Sequence, residues 1–267
     1  MNGDGGILPA RVKRELRTSV FGRRIYYSVA IDSTNRMAVD LARRNEPHGT
    51  IVLTDFQKQG RGRHTKRWAS PPGENLLFSI VLRPNAPARS LLPVTLAFSV
   101  TLATTLTRVL QKEIGVKWPN DLVTPQGKLG GILSESAIRG DIAQFVIVGI
   151  GLNVNTPPAN FPADLGCTPV SCLSIGGRRL DRAALLGRLL FDLETAYDEF
   201  VRDGFAAFVE EYDKRLIILS RPIRYMGRSG GEEGRVVGIA EDGGLKVVRS
   251  DDTVDVLYDV EIQDETD

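Results

Sequence analysis

Gly60-Arg61-Gly62-Arg63-His64-Thr65-Lys66-Arg67-Trp68 lies between two short apolar runs, Ile51–Phe56 and Leu76–Leu82. Both runs are rich in Ile, Val, Leu and Phe and bounded by Gly and Pro, so they read as strands joined by a long loop over 60–73. Glycines alternating with arginines let the backbone approach a ligand while rigid, permanently charged guanidiniums converge on it. The spacing fits neither a P-loop nor G-x-G-x-x-G, since position 65 is threonine. An isolated Arg-Gly-Arg reads best as a solvated basic patch or a nucleic-acid contact. Here Trp68 closes the run and a strand follows, so the reading is a small anionic ligand with an aromatic face for a base.

Working outward, Asp32-Ser33-Thr34-Asn35 heads a mixed apolar and basic run to Asn45, which predicts a helix capped by a hydroxyl or carboxylate. Leu91–Ile114 predicts a core helix. Leu129–Ser136 and Phe145–Ile150 predict strands turning at Arg139-Gly140-Asp141. In Leu180–Val201 the residues Leu186, Leu189, Leu190, Leu193, Tyr197 and Phe200 share one helical face, with Asp181 as cap. Past Leu219 the texture becomes short strands with glycine turns, Asp242-Gly243 among them. A boundary near 218–222 therefore divides a domain over 1–219 from a small β-barrel over 220–267.

The 267 residues, 42% apolar and 25% charged, exclude wholesale disorder, and a net charge of +1 argues against a globally basic nucleic-acid coat. Charge is nonetheless local: residues 58–67 hold five bases and no acid, whereas 232–267 hold twelve acids and three bases. Cys167 and Cys172 are too few for a disulfide framework or structural zinc. Met1–Arg14 has no apolar core for a secretory signal. Ser90–Thr107 is uncharged over 18 residues but contains seven Ser or Thr and Pro93, which favours a buried helix over a membrane span. The expected compartment is the cytoplasm.

Three further segments carry candidate chemistry. Lys117-Trp118-Pro119-Asn120-Asp121-Leu122 reads as a proline-fixed turn whose Asn-Asp pair bonds local backbone. Lys128-Leu129-Gly130-Gly131-Ile132-Leu133 places a lysine at the head of an apolar strand, beside glycines that allow close packing. Val148-Gly149-Ile150-Gly151-Leu152-Asn153-Val154-Asn155 is a buried strand in which Gly149 and Gly151 strip one face of side chains, as a ligand floor would.

Together with Ser33-Thr34-Asn35, these segments in this order resemble the biotin protein ligases, strongly over residues 26–155 and more weakly beyond. The resemblance implies an α/β (α+β) catalytic domain related to class II aminoacyl-tRNA synthetases, with a mixed sheet and a C-terminal SH3-like barrel. It implies ATP and biotin as substrates, Mg2+ arriving with ATP, and biotinoyl-5′-AMP as intermediate. The acceptor would be a lysine of a biotin carboxyl carrier domain, that of acetyl-CoA carboxylase or pyruvate carboxylase. By the same resemblance Lys128, Arg61 and Arg63 are catalytic. Ser33, Thr34, Asn35, Gln57, Gly60, Gly62, Gly131, Gly149 and Gly151 bind biotin together with those three. Arg63, Trp68, Asn120, Asn153 and Lys128 meet ATP, with Asp121 a candidate to organise magnesium.

The chain departs from the family pattern at Thr65 and Lys66, where glycine and arginine are common. Lysine keeps the charge but not the bidentate fork. Only 32 residues precede Ser33, too few for the winged helix-turn-helix of the DNA-binding members, so specific DNA binding is not expected. A homodimer is left open. The rival readings are a lipoate-type acyl-adenylating ligase on the same fold and a non-enzymatic nucleotide- or nucleic-acid-binding module.

Overall fold

The computed structural model describes residues 6–63, 66–84, 91–140, 142–163, 165–227, 230–258, 260 and 262–264. Thr65 and Asp141 lie outside them. The chain runs α1 (Pro9–Glu15), β1 (Ile25–Ile31), α2 (Thr34–Arg43), β2 (Ile51–Gln57), β3 (Leu76–Leu82), α3 (Leu91–Leu110), β4 (Gly115–Lys117) and β5 (Asp121–Thr124). There follow β6 (Gly127–Arg139), β7 (Ile142–Leu152), α4 (Cys172–Gly176), α5 (Arg182–Asp203) and α6 (Val209–Arg215). The last strands are β8 (Pro222–Gly227), β9 (Gly230–Ile239), β10 (Leu245–Val248), β11 (Val254–Leu257) and β12 (Ile262–Asp264).

Seven strands form a mixed sheet in the order β1-β2-β3-β7-β6-β5-β4, with β1 and β2 parallel through α2 and the other neighbours antiparallel. All of β3 is buried because both faces of the sheet are covered. Leu76, Phe78, Ile80 and Leu82 join Val146, Val148, Ile150 and Leu152 of β7 in the main core with α3 and α5. On the other face Ala38, Leu41 and Ala42 of α2 pack on Val52, Val81 and Ile147. Strand alternation therefore turns Ser79, Gly149 and Gly151 toward the α2 face. That face carries the site.

α3 is long and apolar enough to cross a membrane by composition, yet 67% of its most apolar stretch is buried within the fold, as a core helix requires. It ends at Leu110, short of the expected Ile114, because Gln111 adopts a left-handed φ of 53° and Thr107 Oγ1 accepts the Ile114 N–H. Asp181 caps α5 as its sequence predicts, accepting the N–H groups of Ala183 and Ala184. Burial pushes the Cys172 thiol up to about 12, while Cys167 is exposed and unbridged.

The last five strands make an antiparallel sheet ordered β11-β10-β9-β8-β12, with no pairing between β11 and β12 among the described residues. Gly243, at φ 88°, makes the β9–β10 turn, and its carbonyl accepts from the Trp118 indole at 3.1 Å. Asp213 Oδ1 accepts the Ile239 N–H at 2.9 Å. Ile223, Tyr225, Val236 and Leu245 join the same core as the large sheet. The small sheet is thus joined to the main core by polar locks and shared apolar burial.

Candidate active site

Ser33 has the extended backbone of a helix N-cap, but contrary to expectation its side chain does not cap α2. Gln57, at the end of β2, does so instead: its Oε1 accepts from Thr34 N at 2.8 Å and lies 3.1 Å from Thr34 Oγ1. A neighbouring strand satisfies the helix, which frees the cap hydroxyl. Ser33 Oγ and Gln57 Nε2 have no protein partner among the described residues, and both side chains border the cavity. Both atoms have capacity left for a ligand.

Asn35, in contrast, is committed within the protein. Its Nδ2 donates to Leu133 O at 3.0 Å and to Glu135 Oε2 at 2.8 Å. Ser79 Oγ lies 2.7 Å from Asn35 Oδ1 and 2.8 Å from Thr34 Oγ1. A hydroxyl has one proton, and the amide oxygen can only accept, so Ser79 donates to Asn35. Asn35 therefore shapes the pocket more than it offers bonds.

Gly149 and Gly151 leave room, as expected, but protein groups share it. A Cβ at Gly149 would collide with the Asn35 amide, and one at Gly151 would sit 2.7 Å from Trp68 Cε2. The indole thus lies on bare backbone at the cavity wall. Its Nε1 is buried without a hydrogen-bond partner, as is Asn153 Oδ1, while Asn153 Nδ2 donates to Val170 O at 3.0 Å. Both orphan atoms belong to residues that line the cavity.

The basic loop closes through Trp68 N to Gly60 O at 3.0 Å, Gly62 N to Lys66 O at 2.8 Å and an antiparallel bridge between Arg61 and Arg67. Gly60 does not border the cavity. A Cβ there would strike the Trp68 carbonyl, so this glycine permits the closure. Arg61 pairs with Glu135 Oε1 at 2.9 Å.

Lys128 stands near the start of β6, its backbone clamped by Thr168 O at 2.8 Å and Val170 N at 2.9 Å. Its Nζ reaches Asp121 Oδ2 at 2.6 Å, across from Gly131, where a Cβ would approach that amine to 3.7 Å. Asn120 braces the turn: its Nδ2 donates to Ile132 O at 2.6 Å. Among the described residues no three His, Cys, Asp or Glu side chains gather as a metal cluster.

One cavity of about 1950 Å³ joins these parts. Ser33, Thr34, Asn35, Gln57, Arg61, Gly62, Arg63, Trp68, Asn120, Asp121, Lys128, Gly131, Gly149, Gly151 and Asn153 all line it. Ser79 and Glu135 were not legible as site residues. The signal for Ser79 was a single hydroxyl inside an otherwise apolar strand; Glu135 carried none.

Residues 27–153 match the biotin/lipoate A/B protein ligase family. The bifunctional ligase/repressor BirA of Bacillus subtilis is 29% identical over 97% of this chain and 79% of its own. The biotin–[acetyl-CoA-carboxylase] ligase of Paracoccus denitrificans is 32% identical over 80% of this chain and 90% of its own. The solved biotin protein ligase of Aquifex aeolicus, in complex with biotin and ATP, superposes with a TM-score of 0.79 at 25% identity, covering 91% of this chain and all of that one. Sequence, fold and the polar cavity agree, and the chain belongs to the biotin/lipoate A/B protein ligase family, among its biotin protein ligases.

Proposed function

We propose that this enzyme activates biotin with ATP and transfers it to a carrier-domain lysine. A biotin carboxylate oxygen attacks the α-phosphorus, pyrophosphate leaves, and biotinoyl-5′-AMP forms. The acceptor lysine amine then attacks the acyl carbon and AMP departs. Both substrates of the first step are anionic, so fixed positive charge must offset their repulsion and the charge that builds in the transition state. The observation that carries this reading is one cavity bringing Lys128, Arg61 and Arg63 together with the polar set Ser33, Thr34 and Gln57.

In this assignment Ser33 Oγ and Gln57 Nε2 meet the ureido group, and Trp68 and Asn153 meet the nucleotide. Mg2+ would enter on ATP and supply charge neutralisation at the phosphates. A single lining carboxylate such as Asp121 suits an ion held mainly by phosphate and water. The acceptor we assign is the biotin carboxyl carrier domain of acetyl-CoA carboxylase, in the cytoplasm, by analogy with the named relatives. The mixed sheet and the five-stranded sheet support a class II synthetase-like domain followed by an SH3-like barrel beginning near residue 220.

Biotin-dependent ATP–pyrophosphate exchange tests the reading. Biotin should support exchange and lipoate or octanoate should not, because a ligand without a ureido group leaves the polar set unpaired. Equal exchange with lipoate would overturn it.

A further inference from the structure

We propose that Glu135 is a positioning residue that couples the basic loop to the biotin end of the cavity. The proposal rests on the ligase reading above. One carboxylate divides its two oxygens: Oε2 accepts from Asn35 Nδ2 at 2.8 Å and Oε1 accepts from Arg61 at 2.9 Å. The first bond completes the Asn35 amide, whose other N–H goes to Leu133 O and whose oxygen is met by Ser79. The second bond holds a guanidinium at the stem of the loop, where Arg61 bridges Arg67.

The Arg61–Glu135 pair is half in water, with side chains 49% and 26% exposed, so it adds little to stability. Its consequence is geometric. Glu135 sits on the long strand β6, paired with Ile147 of β7, and so offers a fixed mark for both the first turn of α2 and the basic loop. Biotin that presses on Ser33–Asn35 is thereby linked to the position of Arg61.

Glu135→Gln separates these roles with little change of shape. The amide has one oxygen and one NH2, so it can satisfy Asn35 Nδ2 or Arg61 but must point a donor at the other. Losing one charge-assisted bond is worth roughly tenfold or more in binding. Two measurements follow. Trypsin acts on the basic loop itself, at Arg61, Arg63, Lys66 and Arg67; without ligand, Glu135→Gln should be cut there several times faster than the parent. Biotin affinity by calorimetry should fall about tenfold, and saturating biotin should protect the loop less than in the parent. In exchange kinetics KM for biotin should rise more than kcat falls. Glu135→Asp, which keeps both acceptor oxygens, should recover part of the protection.

Equal ligand-free cleavage of parent and Glu135→Gln, at unchanged melting temperature, would overturn the anchoring of the loop. Parent-like biotin affinity and protection would overturn the coupling. A parent protein that fails to bind biotin would sink the ligase reading instead, and the ligand-free cleavage comparison would still decide whether Glu135 anchors Arg61.

Discussion

Replacing Lys128 with alanine should abolish most adenylation while leaving the protein folded and able to bind biotin. At about 4 Å, a unit charge pair at an effective dielectric of ~20 interacts by about 4 kcal/mol. If roughly half a unit of negative charge develops beside Nζ in the transition state, the ammonium supplies about 2 kcal/mol, and a full unit about 4 kcal/mol. The rate should therefore drop between ~30-fold and ~10³-fold, in the range seen for loss of one preorganised donor. The loss of stability should be modest: the Lys128–Asp121 pair is about a quarter exposed at both ends, between a surface pair and a buried one, so its removal should cost about 1–2 kcal/mol. The strand itself stays clamped by backbone bonds to Thr168 and Val170 that need no side chain. Single-turnover formation of the adenylate, with biotin affinity and melting temperature measured on the same preparation, separates chemistry from folding. Lys128→Arg keeps the charge in a bulkier shape and should rescue only in part. Adenylation within about threefold of the parent in Lys128→Ala would remove this residue from the chemistry.

Gly149→Ala should place a methyl in the Asn35 amide, at an overpacking cost of about 1–3 kcal/mol, seen as a lower melting temperature and weaker biotin binding. Glu194 accepts the N–H groups of Ser19, Val20 and Phe21 at 2.5–2.8 Å, so Glu194→Ala should cost roughly 3 kcal/mol in denaturant unfolding, far from the cavity. His48 is half-buried between Phe21 and Tyr197, and burial holds its pKa below 6.5, while its Nδ1 accepts the Arg83 N–H at 3.1 Å. The unfolded chain then binds more protons than the folded one just below pH 6.5, so stability should fall as pH drops from ~7 toward ~5. His48→Gln should flatten that slope in urea titrations at stepped pH; an unchanged slope would exclude His48 as its source.

Local pattern sufficed for much of this protein. The apolar runs of β2 and β3, the period and cap of α5, and the turn at Gly243 follow from side-chain chemistry within a few residues. The ordered Ser-Thr-Asn, Arg-Gly, Lys-Leu-Gly-Gly and Gly-Ile-Gly segments marked candidate residues that, Gly60 apart, all line the cavity. Tertiary structure decided what those residues do for one another. Ser33 looks like a cap in sequence, but the cap comes from Gln57 on the adjacent strand, so the hydroxyl is left for a ligand. Gly60 looks like its neighbours in the loop, yet only the nearness of the Trp68 carbonyl shows it as a hinge of closure. Gly149 and Gly151 read as an empty floor, whereas Asn35 and Trp68 share that space. Glu135 stands 74 residues from Arg61 and 100 from Asn35, and nothing in its own neighbourhood announces the pairing. Periodicity reports which face a side chain occupies; which partner waits there depends on sheet order and register, set by burial across the whole chain.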